Sequence, residues 1–201
     1  NGKLEILTFR ESGDQIRRIA KAITDKNLPP KSNVALLSKN CAHWIMADLA
    51  IMMSGHVSVP IYPTLHEESI KLILDHSDSK LLFVGKLDSY ESQKNAFGNI
   101  PVISVEKYGI SGSETWESLV ERNPPMQNIK YNEPTDLISI IYTSGTTGNP
   151  KGVMHSIANF ANAVKNLGED LVPPPHPRFF SYLPLSHIAE RVALEMTAIT
   201  W

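Results

Sequence analysis

Amphipathic helical stretches and short apolar runs alternate five times before residue 142, and this alternation limits the fold more than any other feature of the chain. Thr8 with Glu11 three positions on is a capping box. Ile16, Ile19, Ala20 and Ile23 then recur at helical spacing, with Arg17, Arg18 and Lys21 turned outward, which predicts a helix over residues 8–27. Pro29-Pro30 ends it, and Val34-Ala35-Leu36-Leu37 follows as a buried strand. A helix over 41–54, closed by Gly55 in left-handed conformation, leads to a strand at Val57-Ser58-Val59. Helices over 67–77 and 88–97 lead to strands at 81–84 and 102–105. A short helix over 115–121 and the polar, Pro-rich connector 123–134 lead to the buried strand Leu137-Ile138-Ser139-Ile140-Ile141. Such a succession predicts an α/β fold, a mostly parallel sheet flanked by helices.

The last of these strands runs into Tyr142-Thr143-Ser144-Gly145-Thr146-Thr147-Gly148-Asn149-Pro150-Lys151-Gly152. Glycine lets the backbone approach a ligand closely, because no Cβ intervenes. Successive exposed N–H groups in such a turn form a concave anion site, and hydroxyls add donors around it. Lys151 supplies a full positive charge at the far end. The loop over 143–152 therefore suits phosphate oxygens, and ligands of parallel sheets bind beyond the carboxyl ends of strands. A Walker loop needs its lysine after a glycine and a hydroxyl after the lysine. Here Pro150 precedes Lys151 and Gly152 follows it, so the pattern fails at both places. A solvated Gly/Ser/Thr linker is the plainer alternative, but a linker seldom carries Pro-Lys directly after a buried strand.

Composition narrows the class. A net charge of −2 offers no basic face for nucleic acid. The single cysteine, Cys41, excludes an internal disulfide framework. Leu49 to His66 is free of charge, yet Ser54, Gly55, Pro60 and Pro63 interrupt it, so a core helix running into a strand is expected there rather than a membrane span. His43, His56, His66, His76, His155 and His176 show no shared metal-ligand spacing.

Beyond the loop, Val153-Met154-His155 is expected to be extended. Ser156 caps a helix to about Leu167 with Ile157, Phe160, Ala161 and Val164 inward. Pro173 to Pro177 suggests a rigid surface turn, and Phe179-Phe180-Ser181-Tyr182 a strand. Glu190 and Arg191 are expected to form an exposed helix-face pair rather than to touch substrate.

The order Tyr-Thr-Ser-Gly-Thr-Thr-Gly-x-Pro-Lys-Gly over 142–152 closely resembles the signature of the adenylate-forming superfamily of acyl-CoA synthetases, amino-acid adenylation domains and luciferases. Ser181-Tyr182-Leu183-Pro184-Leu185-Ser186-His187-Ile188-Ala189-Glu190-Arg191 is similar to the version in long-chain fatty-acid CoA ligases, and segments at 7–11, 34–40 and 55–64 follow the family order. The resemblance implies the first lobe of the large amino-terminal domain, residues 1–185, with residues 186–201 opening the second lobe. It implies a cytoplasmic ATP-dependent, AMP-forming ligase using magnesium and coenzyme A on a fatty acid, with peripheral membrane contact left open. By the same resemblance Thr143, Ser144, Gly145, Thr146, Thr147, Gly148 and Lys151 hold the β- and γ-phosphates, with Ser144 nearest the metal. Lys151 and His187 are then the catalytic pair, His187 lying by the acyl carboxylate, unless that histidine merely caps a helix. Another adenylating enzyme, acting on amino or aryl acids, and a non-catalytic nucleotide-binding module are the alternatives. The family's adenine segment, ribose-binding aspartate, hinge and catalytic lysine of a mobile carboxyl-terminal domain are not among these residues, so this chain alone is expected not to form acyl-CoA.

Overall fold

The computed structural model describes residues 6–110, 112–129, 132–143, 150–170 and 178–200, with side chains at 168–170 left aside. Among the described residues seven strands form one sheet in the order β5-β4-β3-β1-β2-β6-β7. They are β1 (Asn33–Leu37), β2 (Val57–Ile61), β3 (Leu81–Val84), β4 (Val102–Ser104), β5 (Glu114–Thr115), β6 (Leu137–Thr143) and β7 (Lys151–Ser156). All neighbours pair in parallel except β6 and β7, which form an antiparallel hairpin at one edge.

The central strands β1, β2 and β3 are covered on both faces, which explains why their apolar runs lack polar alternation. Successive strand residues point to opposite faces. Val34 and Leu36 enter a cluster with Ile19 and Ile23 of α1 (Phe9–Asp25), Ala47 of α2 (Ala42–Met53) and Trp116 of α5 (Trp116–Arg122). Ala35 and Leu37 enter the opposite cluster, with Ile70 and Leu74 of α3 (Glu67–His76) and Phe97 beyond the short α4 (Tyr90–Gln93). The capping box is present, since Thr8 Oγ1 accepts from the Glu11 amide and Glu11 accepts from the Thr8 amide. Gly55 closes the turn after α2 at φ 81°.

Four expectations are corrected. Phe179 to Tyr182 is not a strand: Phe180 is 84% exposed, and the segment is held by side-chain bonds from Asn40 instead of a ladder. The helix expected over 88–97 shortens to α4 followed by a 3-10 turn, Lys94–Phe97. Ala161 in α6 (Ile157–Asp170) is exposed, while Phe160 beside it is buried. Glu190 and Arg191 are not an exposed pair, because Arg191 is 0% and Glu190 5% exposed. They sit in α7 (Ile188–Glu190) and the π-helical turn Arg191–Met196 that continues it into α8 (Thr197–Thr200). The expected turn at 173–177 lies outside the described residues, as do loop residues 144–149.

Candidate active site

β2 and β6 are neighbours in the sheet through Ser58 and Ser139, and their carboxyl ends open on a cavity of about 580 Å³. Tyr62, Thr64 and Leu65, just past β2, form one wall, and Ile141, Tyr142 and Thr143 of β6 form the next. Ser69 and Ile73 of α3 close one side, while Pro150, His187 and Ile188 close another. The cavity thus touches both feet of the glycine-rich loop. The loop residues Ser144, Gly145, Thr146, Thr147 and Gly148 lie outside the described residues.

Thr143 and Lys151 are paired across the hairpin, Thr143 as the last residue of β6 and Lys151 as the first of β7. Both are exposed. Lys151 therefore stands at the neck of the loop with its backbone fixed by the ladder and its ammonium in water. Behind the neck the packing is tight. A Cβ at Gly152 would come within 2.7 Å of Ile140 Cγ2 and 3.2 Å of the Tyr142 ring. Tyr142 is buried, its hydroxyl joined to His76 Nδ1 at 2.7 Å. Burial pushes the Tyr142 and Tyr62 phenols up, so both remain neutral walls.

His187 is the N-cap of α7, its Nδ1 accepting from the Ala189 amide at 3.1 Å. A neutral imidazole whose Nδ1 accepts carries its proton on Nε2. The cap consequently sets the tautomer, and His187 offers an Nε2–H donor at the cavity wall. Capping and ligand contact are compatible roles for this ring. The segment before it is anchored at Leu185, which is buried and donates its amide to Asn40 Oδ1, and at Tyr182, whose amide donates to Glu190 Oε1.

Sequence reasoning missed the buried ionic group behind this wall. Arg191 donates from Nε and Nη2 to both carboxylate oxygens of Asp48, at 2.6–3.1 Å, and from Nη1 to Ser139 Oγ at 2.5 Å. Asp48 is 0% exposed and also accepts from Ser58 Oγ. The guanidinium lies 4.9 Å from the Phe160 ring centroid and 5.9 Å from that of Trp44. Glu195, one turn on, approaches Arg191 Nε at 3.7 Å. Burial and the neighbouring Asp48 carboxylate push its carboxyl well above the ordinary range, against the opposing pull of Arg191. Both Glu195 carboxyl oxygens are buried without a hydrogen-bond partner, which accords with a carboxyl whose charged form is disfavoured. Burial, then the Arg191 charge, lowers His155 on β7. One signal was available in the sequence: Asp48 is the only charged residue in the otherwise apolar α2, and a buried carboxylate requires a partner.

Among the described residues no group of three His, Cys, Asp or Glu side chains could hold a metal ion, and no carboxylate lines the cavity. The described donor set does not suit a protein-held cation. No described helix is long and apolar enough to cross a membrane.

Comparison with known proteins agrees with this architecture. Long chain acyl-CoA synthetase 2 of Arabidopsis thaliana is 31% identical over 208 residues, covering 92% of this chain and 31% of that protein. Tyrocidine synthase 2 of Brevibacillus parabrevis is 32% identical over 174 residues, 86% of this chain and 4% of that protein. The chain thus spans under a third of the curated relatives it matches. Among solved structures, the O-succinylbenzoate coenzyme A synthetase of Bacillus subtilis in complex with AMP superposes with a TM-score of 0.79 at 23% identity, over 98% of this chain and 48% of that one. The sheet, its flanking helices and the loop hairpin are thus those of adenylate-forming ligases, and a profile of the AMP-binding enzyme family matches residues 2–201: the chain belongs to the AMP-binding enzyme family.

Proposed function

We propose that this chain is the polyphosphate-gripping part of an ATP-dependent, AMP-forming fatty-acid CoA ligase acting on long acyl chains. The observation that supports it most is the meeting of Thr143, Pro150 and His187 on one cavity at the carboxyl ends of β2 and β6. In this reading a carboxylate oxygen of the acid attacks the α-phosphorus of ATP. The bond from that phosphorus to the β-bridging oxygen breaks, and pyrophosphate leaves with the electron pair. Coenzyme A thiol then displaces AMP from the acyl adenylate.

The difficulty of the first step is charge, since an anion approaches a polyanion and more charge gathers on the leaving group. Preorganised cations and donors lower that barrier. Lys151 and the hydroxyls and amides of Thr143, Ser144, Gly145, Thr146, Thr147 and Gly148 hold the β- and γ-phosphates, and the Nε2–H of His187 donates to the acyl carboxylate or α-phosphate. Magnesium bound with the nucleotide would neutralise phosphate charge, and Ser144 is the hydroxyl that would hold it. Residues 186–201 open the second lobe in this scheme, and the complete reaction belongs to the whole protein that carries this chain.

Similar identity to Tyrocidine synthase 2 keeps a second adenylating chemistry in view. Acid-dependent pyrophosphate exchange by the full-length protein, run across fatty, aryl and amino acids, separates the two. Exchange with palmitate supports the long-chain reading. Exchange with an amino or aryl acid alone replaces it, and none with any acid removes the ligase reading.

A further inference from the structure

We infer that Arg191 is a positioning residue, whose buried guanidinium sets His187 relative to β6, the strand that ends at Thr143. The inference rests on the proposed ligase reading for its kinetic consequence, but its structural basis is independent. Arg191 bonds to both elements that bear the site. Its side chain donates to Ser139 in β6, the strand that ends at Thr143, and its backbone amide donates to the His187 carbonyl at 3.1 Å. Asp48 fixes the guanidinium from the other side through both carboxylate oxygens.

The group is demanding chemically. An arginine removed from water requires a counter-charge and directed acceptors, and here one carboxylate and one hydroxyl supply them. The Phe160 and Trp44 rings pack near it and the side chain is fully buried. A lysine would satisfy the charge but not the fork. A π-helical turn starts at Arg191, and such turns occur at functional sites, where they re-aim side chains. The charged and titratable groups around the guanidinium are Asp48 from α2, His155 from β7 and Glu195 from its own turn. None of the three lines the cavity. Arg191 therefore acts through His187 and the loop strand, not on substrate.

The test uses the full-length protein. Removing one partner of a buried pair leaves the other uncompensated, so the informative variant replaces both by apolar groups, Asp48→Leu with Arg191→Met, a change that is often neutral for stability. Hydrogen exchange of peptides covering 185–192 is expected to accelerate about tenfold or more in that variant, with β1 and β3 unchanged. Pyrophosphate exchange is expected to lose about tenfold in kcat with KM for ATP within about twofold. His187→Ala added to the double variant is expected to cost under about threefold more, where alone it costs about tenfold, because the two act in series. Unchanged exchange over 185–192 overturns the inference, as does full additivity with His187→Ala. If the unmodified protein catalyses no pyrophosphate exchange with any acid, the ligase reading fails separately, and the hydrogen-exchange comparison alone decides whether Arg191 holds His187 in place.

Discussion

Tyr142 and Gly152 face each other across the β6–β7 hairpin, and their pairing leaves no room for a side chain at position 152. The obstructing atom, Ile140 Cγ2, sits on a branched carbon in a strand and cannot swing away cheaply. Gly152→Ala should therefore destabilise by about 1–3 kcal/mol, the usual range for overpacking a filled site. Thermal unfolding checks the value. A variant as stable as the parent would mean that the hairpin yields at Ile140 and is not tightly packed there.

Lys151 presents the opposite case. Its side chain is exposed and its backbone is held by the ladder, so Lys151→Ala should leave the unfolding midpoint nearly unchanged. Pyrophosphate exchange in the full-length protein should fall by about 10²–10³, the scale for losing one preorganised contact to developing charge. Weak phosphate binding that ignores the substitution would favour a non-catalytic nucleotide-binding module instead.

His187 can be divided into its two roles. Asparagine is a strong N-cap, so His187→Asn should hold α7 within about 0.5 kcal/mol of the parent. The same variant lacks the Nε2–H donor and should slow adenylation by about tenfold or more. Undiminished exchange in His187→Asn would reduce the histidine to a cap.

The strands were legible because runs such as Val34-Leu37 and Leu81-Val84 have only one way to be apolar throughout, which is to be covered on both faces. The capping box at Thr8 and the turn at Gly55 were legible because their chemistry is local. Phe179 to Tyr182 failed for the converse reason. Its aromatic residues suit a strand, but a strand also needs an edge to pair with, and Asn40 binds Ser181 and Leu183 instead. Arg191 was misread because its partner Asp48 stands 143 positions away. Nothing near 191 announces that partner. Only the isolated carboxylate in an apolar helix did, from the other end.

Glu195 gives a pH prediction with a definite sign. Its folded carboxyl lies above the ordinary value of 4.5, chiefly through burial. The folded state binds a proton that the unfolded state releases, so stability is full below the ordinary value and falls as pH rises through the folded one. Glu195→Gln keeps the size of the side chain and removes the titration. The unfolding midpoint of the variant should gain on that of the parent as pH is raised from about 5 to about 9. A constant difference would mean that Glu195 is ionised in the folded protein.

The seam between β2 and β6 has a consequence for the order in which this molecule assembles. Ser139 donates to the Ser58 carbonyl across 81 positions of chain, whereas β1 meets β2 and β3 after short crossovers. Closing the longer excursion costs more entropy before any contact rewards it. A hydrogen-exchange pulse early in refolding should find the amides of β1 and β3 protected ahead of those of β6. The nascent protein would then own a hydrophobic heart before it owns a pocket, and a half-folded intermediate would have nowhere to seat a nucleotide.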